Sequence, residues 1–119
     1  MAADSRLRVK KIDTVTHIEF VDRSILDEAN IQKIGEEIAK IIEVEAKPKL
    51  LISFANVDHL SSSALSMLIA INSKMKAPKN GELRLANIDP QLYEVFVITR
   101  LNKLFKILPT TEDAMKSLA

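Results

Sequence analysis

The chain has 119 residues, with 17 lysines and arginines against 16 aspartates and glutamates, for a net charge of +1. That length suits one domain burying roughly 65% of its unfolded surface, so neither a disulfide nor a metal staple is needed. Cysteine is absent, which excludes disulfides and thiolate metal sites, while balanced charge and 4% aromatics leave no basic footprint or stacking platform for nucleic acid.

The N-terminal segment reads as a hairpin. Leu7, Val9 and Ile12 alternate with charged residues, Asp13-Thr14 marks a turn, and 15–21 alternates again with Ile18 and Phe20 inward and His17 and Glu19 outward. Residues 22–24 form a polar loop. A helical pattern then runs over 27–44, where Ile31, Ile34, Ile38, Ile41 and Ile42 recur at three- and four-residue steps. Asp27, Glu28, Glu36 and Glu37 sit toward its first half and Lys40 follows, as the helix dipole favours. Gly35 costs this helix about 1 kcal/mol relative to alanine and predicts a close approach to a neighbouring element.

Lys47-Pro48 ends the helix, and 50–54 follows as a nearly continuous apolar run. A strand without alternation is buried on both faces, as in a parallel sheet covered by helices. A second helix is predicted over 62–76, and Pro78, Lys79, Asn80 and Gly81 give a turn signal. Residues 82–88 read as a strand with Leu83 and Leu85 on one face. Asp89-Pro90 is an N-cap followed by proline at the first helical position, opening a helix on which Leu92, Val95, Phe96 and Thr99 share a face. A short strand near 105–108 precedes a last helix capped by Thr110, with Asp113 three residues on. The predicted order is β-β-α-β-α-β-α-β-α: an α/β chain with a mostly parallel sheet, an N-terminal antiparallel strand and four helices, joined by right-handed crossovers.

Ser61-Ser62-Ser63 stands at the junction of the apolar strand and the second helix. One serine suffices as an N-cap, so three exceed what a cap requires. A hydrolase reading fails because the nucleophile elbow needs G-x-S-x-G and the two glycines, Gly35 and Gly81, are elsewhere. The same scarcity of glycine leaves no phosphate-cradling G-x-x-x-x-G-K or G-x-G-x-x-G for nucleotide, and His17 and His59 have no ligand-like spacing for metal. On the second helix the apolar positions Ala64, Leu65, Met67, Leu68, Ile69, Ile71 and Met75 span about 200°, wider than a single core usually requires. Ser62, Ser66, Ile69 and Ser73 cluster at one edge of that arc. This edge is either a surface for another protein or a solvated flank.

The strand 50–54, the junction Ser61-Ser62-Ser63-Ala64-Leu65, and Thr99-Arg100-Leu101 with the following residues to Leu108 and Glu112-Asp113-Ala114 resemble a STAS domain of the stand-alone bacterial anti-sigma-factor antagonist type. The resemblance spans nearly the whole chain and implies a single STAS domain over 1–119. The family's switch pattern is Asp-Ser-Ser-Gly-Leu, with the first serine phosphorylated by a partner kinase. It aligns Ser62 with the phosphoacceptor, Ser63 with the next serine, Ser61 with the aspartate and Ala64 with the glycine. Ser61 and Ser63 stand as alternate acceptors. Leu26-Asp27-Glu28-Ala29-Asn30-Ile31 is similar to the family's entry into its first helix, with isoleucine where alanine is usual.

The resemblance implies a protein that binds an anti-sigma factor that is also a serine kinase, that is released from it by phosphorylation, and that so regulates transcription indirectly. It allows a phosphatase as a further partner. The implied partner surface comprises Asp27, Asn30, His59, Ser61, Ser62, Ser63, Ser66, Ile69 and Ser73. No catalytic residue, cofactor, metal or nucleic acid is implied. Other stand-alone STAS domains serve lipid transporters or signalling scaffolds, and that is the alternative. With no apolar run of ~18 residues and no apolar leader at Met1, the expected address is the cytoplasm.

Overall fold

The protein is described here from a computed structural model over residues 7–76 and 81–118. The alternating N-terminal residues form β1 (Leu7–Ile12) and β2 (Val15–Phe20), an antiparallel pair with Leu7 opposite Phe20 and Ile12 opposite Val15. Asp13 makes the turn at φ 54°, a left-handed conformation that aspartate tolerates better than most residues. Three further strands join in parallel: β4 (Lys49–Ser53), β6 (Glu82–Ala86) and β7 (Lys106–Leu108). The sheet order is β1-β2-β4-β6-β7. Its helices are α1 (Glu28–Val44), α2 (Ser62–Lys76), α3 (Pro90–Ile98), α4 (Leu101–Leu104) and α5 (Thr111–Leu118).

Because β4 is covered on both faces, its side chains divide between two cores. Leu50 and Ile52 join Ile18, Phe20, Leu85 and the buried stripes of α1 and α2 in the larger one. Leu51 turns the other way and packs with Val15, Ala86, Ala114 and Leu118 beneath α5. This explains the unbroken apolar run read from the sequence. All four phenylalanines lie in the larger core as a chain: Phe20 to Phe54 at 5.2 Å between ring centroids, then Phe96 and Phe105 at 6.3 Å each. The spacing and tilt suit edge-to-face aromatic packing.

The two predicted caps appear as read: Asp89 Oδ1 accepts from Gln91 N at 2.7 Å, and Thr110 Oγ1 from Asp113 N at 3.1 Å. Asp27, read as an acid within the first helix, is instead its N-cap, with Oδ2 accepting from Asn30 N at 3.0 Å. Gly35 answers the close approach expected of it, since a Cβ there would meet Met67 Cγ of α2 at 3.1 Å. Of the predicted turn at 78–81 only Gly81 lies within the described residues. Its role is clear: an added Cβ would stand 2.7 Å from the Pro48 carbonyl oxygen.

Several expectations are corrected. Two short strands, β3 (Ser24–Ile25) and β5 (His59–Leu60), pair in parallel outside the main sheet, so residues 22–24 are not all loop. Among the described residues there are five helices where about four were expected, the additional one being the four-residue α4 that follows Arg100 at φ 64°. Thr99 belongs to the break between α3 and α4 and not to the buried face of α3. It is exposed, and its hydroxyl donates to Val95 O at 2.7 Å, an i−4 back-bond that ends the helix. The strand read over 82–88 stops at Ala86, before Asn87 at φ 62°. His17 is not a plain surface residue: it is half-buried beside Leu51 on β4, and its Nε2 is buried.

Candidate functional site: the paired helix starts

The β3–β5 pairing brings two helix starts together. With Ser24 opposite His59 and Ile25 opposite Leu60, the chain leaves one strand into Asp27 and α1, and the other into Ser61 and α2. Ser61 N donates to Ile25 O at 3.1 Å, and the N–H groups of Asp58 and His59 both reach Arg23 O, at 2.7 and 3.3 Å. The loop is also pinned from within. Phe54 and Val57 are buried in the larger core, and Val57 N closes a turn onto Phe54 O at 3.0 Å. Burial of these side chains holds the junction in place as a rigid step rather than a free loop.

The three serines separate by geometry. Ser61 is the N-cap: its Oγ accepts from Ala64 N at 3.1 Å, and its carbonyl accepts from Leu65 N at 3.1 Å. Ser62 is the first residue of α2 and is exposed. Ser63 follows and is half-buried. Ser62 therefore presents its hydroxyl to solvent at the positive end of a 15-residue helix, while the Ser61 hydroxyl is engaged in capping.

The other sequence-derived candidates fall into two groups. Asp27, half-buried Asn30 and exposed His59 lie around the junction, Asp27 and Asn30 as cap and capped residue of α1 and His59 on β5. Ser66 and Ile69 continue from Ser62 along α2, about one and two turns away, and are exposed. Ile69 is 39% exposed, whereas Ala64, Leu65, Leu68, Ile71 and Met75 of the same helix are buried. Ser73 is exposed too, but eleven residues beyond Ser62 it sits about 16 Å along the helix and is not brought to the junction.

Sequence reasoning missed three features here. Leu26, 52% exposed between Ile25 and the Asp27 cap, adds apolar surface to the junction. Val21 adds more on the same segment. Arg23 grips Asp58 through Nη2 at 2.6 Å and Nε at 3.0 Å, tying the two loops together. Two-residue strands carry no periodicity, so nothing in the sequence announced that these loops meet. The arrangement offers a hydroxyl, three exposed apolar side chains and a cap-lined edge. Among the described residues no cluster of His, Cys, Asp and Glu is placed to hold a metal, and no helix is long and apolar enough to cross a membrane.

Residues 7–114 match the sequence profile of the STAS domain. The chain belongs to the STAS domain family. Solved structures agree on the fold. An anti-sigma-factor antagonist STAS domain protein from Planctomyces limnophilus superposes with a TM-score of 0.85 at 21% identity, covering 94% of this chain and 97% of that one. An anti-sigma factor antagonist from Mycobacterium paratuberculosis gives 0.79 at 22% identity, over 94% and 92%. The phosphorylated form of the Bacillus cell fate determinant SpoIIAA gives 0.72 at 17% identity, over 95% and 99%. In this STAS domain the antiparallel β1–β2 pair and the parallel remainder of the sheet are as the sequence predicted.

Proposed function

We propose that this STAS domain is an anti-sigma-factor antagonist whose binding to a kinase-type anti-sigma factor is ended by phosphorylation of Ser62. The observation that carries the reading is the division of labour at the junction: Ser61 is occupied as the cap, and Ser62 stands exposed as the first residue of α2. Structural neighbours described as anti-sigma-factor antagonists, one of them in a phosphorylated form, support the same assignment.

The physical consequence of a phosphate follows from its position. It adds about −1.5 to −2 charge next to free N–H groups at a helix start, where anions are favoured by up to ~2 kcal/mol. The modification therefore leaves the fold intact, and its effect falls on the partner. A dianion enclosed in an interface without a cation to meet it costs several kcal/mol, and ~4 kcal/mol is roughly a thousandfold in affinity. The partner surface is Asp27, Asn30, His59, Ser61, Ser62 and Ser63 with Ser66 and Ile69; Ser73 extends it along α2. The chain is substrate rather than enzyme. ATP and the transferred phosphoryl group belong to the kinase, the hydroxyl of Ser62 being the nucleophile that receives it. Action in the cytoplasm on an anti-sigma kinase, with a phosphatase to reverse the mark, completes the proposal.

Incubation with the kinase-type anti-sigma factor and ATP, followed by mass spectrometry of the 50–76 segment, tests it. One phosphate on Ser62, lost in Ser62→Ala, is expected. Modification confined to Ser61 or Ser63, or none, would reject Ser62 as the switch.

A further inference from the structure

At the other end of α2, away from the serine junction, a groove of about 460 Å³ opens between the C-terminal part of α2, α4 and the first residues of β6 and β7. Lys47, Lys76, Lys103, Lys106 and Arg84 line it, with Glu82 the one acid among its lining residues. The groove thus gathers +4 in a chain whose total is +1. Glu82 and Arg84 are spoken for: Arg84 Nη2 donates to Glu82 Oε1 at 2.8 Å, and its Nε donates to Ser117 Oγ at 2.8 Å. The four lysines are not. Among the described residues none of them forms an ion pair.

Basic residues at a helix C-terminus commonly do no more than offset the dipole. That accounts for Lys76, the last residue of α2. It does not account for Lys103 on α4, Lys106 at the start of β7, or Lys47 in the connection before β4. Four exposed lysines brought to one concavity from four elements raise its positive potential, which a bound anion would offset. A second feature points the same way. Asn72 is only 7% exposed, forms part of the groove wall, and has no side-chain hydrogen-bond partner among the described residues. Its amide is not among the buried atoms left without a partner, so its polar atoms reach the groove, where the N–H groups can donate to a bound oxyanion. The Glu82 carboxyl, held below its usual range by its hydrogen bond to Arg84 and by the charges of Arg84, Lys49 and Lys106, reports the same positive field. Leu104 and Phe105 add apolar wall, and the volume is that of a small-molecule site.

We infer that this groove binds a phosphorylated small molecule, its phosphoryl oxygens met by Lys76, Lys103, Lys106 and the Asn72 amide. Lysines suit phosphate as compact point charges, and several of them on a groove suit a ligand with more than one phosphoryl group.

Sodium tripolyphosphate titrated into the full chain, followed by amide resonances, provides the test. Saturable shifts at Asn72, Lys76, Lys103 and Lys106 are expected, with a Kd of about 1 mM or tighter. Lys103→Gln with Lys106→Gln should weaken binding at least about tenfold with no change in melting temperature, while Lys10→Gln on β1 leaves it unchanged. Non-saturating shifts spread over all lysines, or binding indifferent to the double variant, would overturn the inference. Citrate binding as tightly as tripolyphosphate would overturn the phosphoryl assignment. Phosphatidylcholine vesicles carrying a phosphorylated inositol lipid separate the sources: capture that the double variant loses assigns a headgroup, and tripolyphosphate binding without capture assigns a soluble phosphate.

Discussion

The starts of α1 and α2 lie side by side and are capped with nearly the same geometry, yet they differ in charge. At α1 the Asp27 carboxylate accepts from the N–H three residues on at 3.0 Å; at α2 the Ser61 hydroxyl does so at 3.1 Å. A cap needs an oxygen at the right place, and either residue provides one. Only the carboxylate also neutralises the positive end of the helix. The first helix is thus electrostatically complete, while the second, with no acid in its first turn, is not. A phosphate on Ser62 would supply at α2 what Asp27 already supplies at α1. The serine at position 61 has a physical consequence: it places no carboxylate beside Ser62 to repel that phosphate.

The comparison can be broken most severely at the partner surface. Ser62→Glu is expected to lower affinity for the kinase-type anti-sigma factor by about a hundredfold or more, whereas Ser62→Ala stays within a few-fold of the unmodified protein, as read by titration calorimetry. Equal affinities would mean that the start of α2 is not in the interface. Cap removal comes next. Asp27→Ala should cost about 1.5 kcal/mol and Ser61→Ala about 1 kcal/mol in urea unfolding, and the gap between them should close in 1 M salt, which screens the charge and not the hydrogen bond. A gap that survives salt would locate the difference in geometry instead.

Ser61→Asp sharpens the comparison further, since it makes the two starts alike. It should raise the stability of the unphosphorylated protein by about 0.5 kcal/mol and diminish the stabilisation that a phosphate on Ser62 provides. The smallest effect concerns Glu82, far from both starts. Its carboxyl titrates below the reference value of 4.5, first because of the Arg84 hydrogen bond. A group with a lowered folded pKa stabilises the fold above its unfolded value and loses that contribution as pH falls through the folded one. Glu82→Gln should therefore be slightly destabilising at neutral pH and neutral well below 4.5, and a deficit independent of pH would assign it to packing.

How far the sequence disclosed this architecture depended on the range of the signal. Helix α1 was legible because isoleucines at three- and four-residue spacing become one buried stripe: Ile31, Ile34, Ile38 and Ile42. Strand β4 was legible because its lack of alternation has one simple cause, burial on both faces. The break at Arg100 was hidden, since a left-handed residue that is not glycine leaves no mark in composition. Arg84 was hidden for a similar reason: a charge is buried only where partners such as Ser117, 33 positions away, meet it. At the junction, local chemistry named the serines, but which one caps was decided by the distance from Ser61 Oγ to Ala64 N. The approach of Leu26 and Arg23 depended on β3 pairing with β5, a long-range event with no local pattern.

The most direct measurement is made on the protein phosphorylated at Ser62 and separated from the unmodified form. Its melting temperature and its affinity for the kinase-type anti-sigma factor are read together. The account predicts a melting temperature equal to or above that of the unmodified protein, with affinity lower by about a thousandfold, because the helix start accommodates the dianion and the interface does not. Retained affinity, or a loss of affinity accompanied by a fall of several degrees in melting temperature, would contradict it.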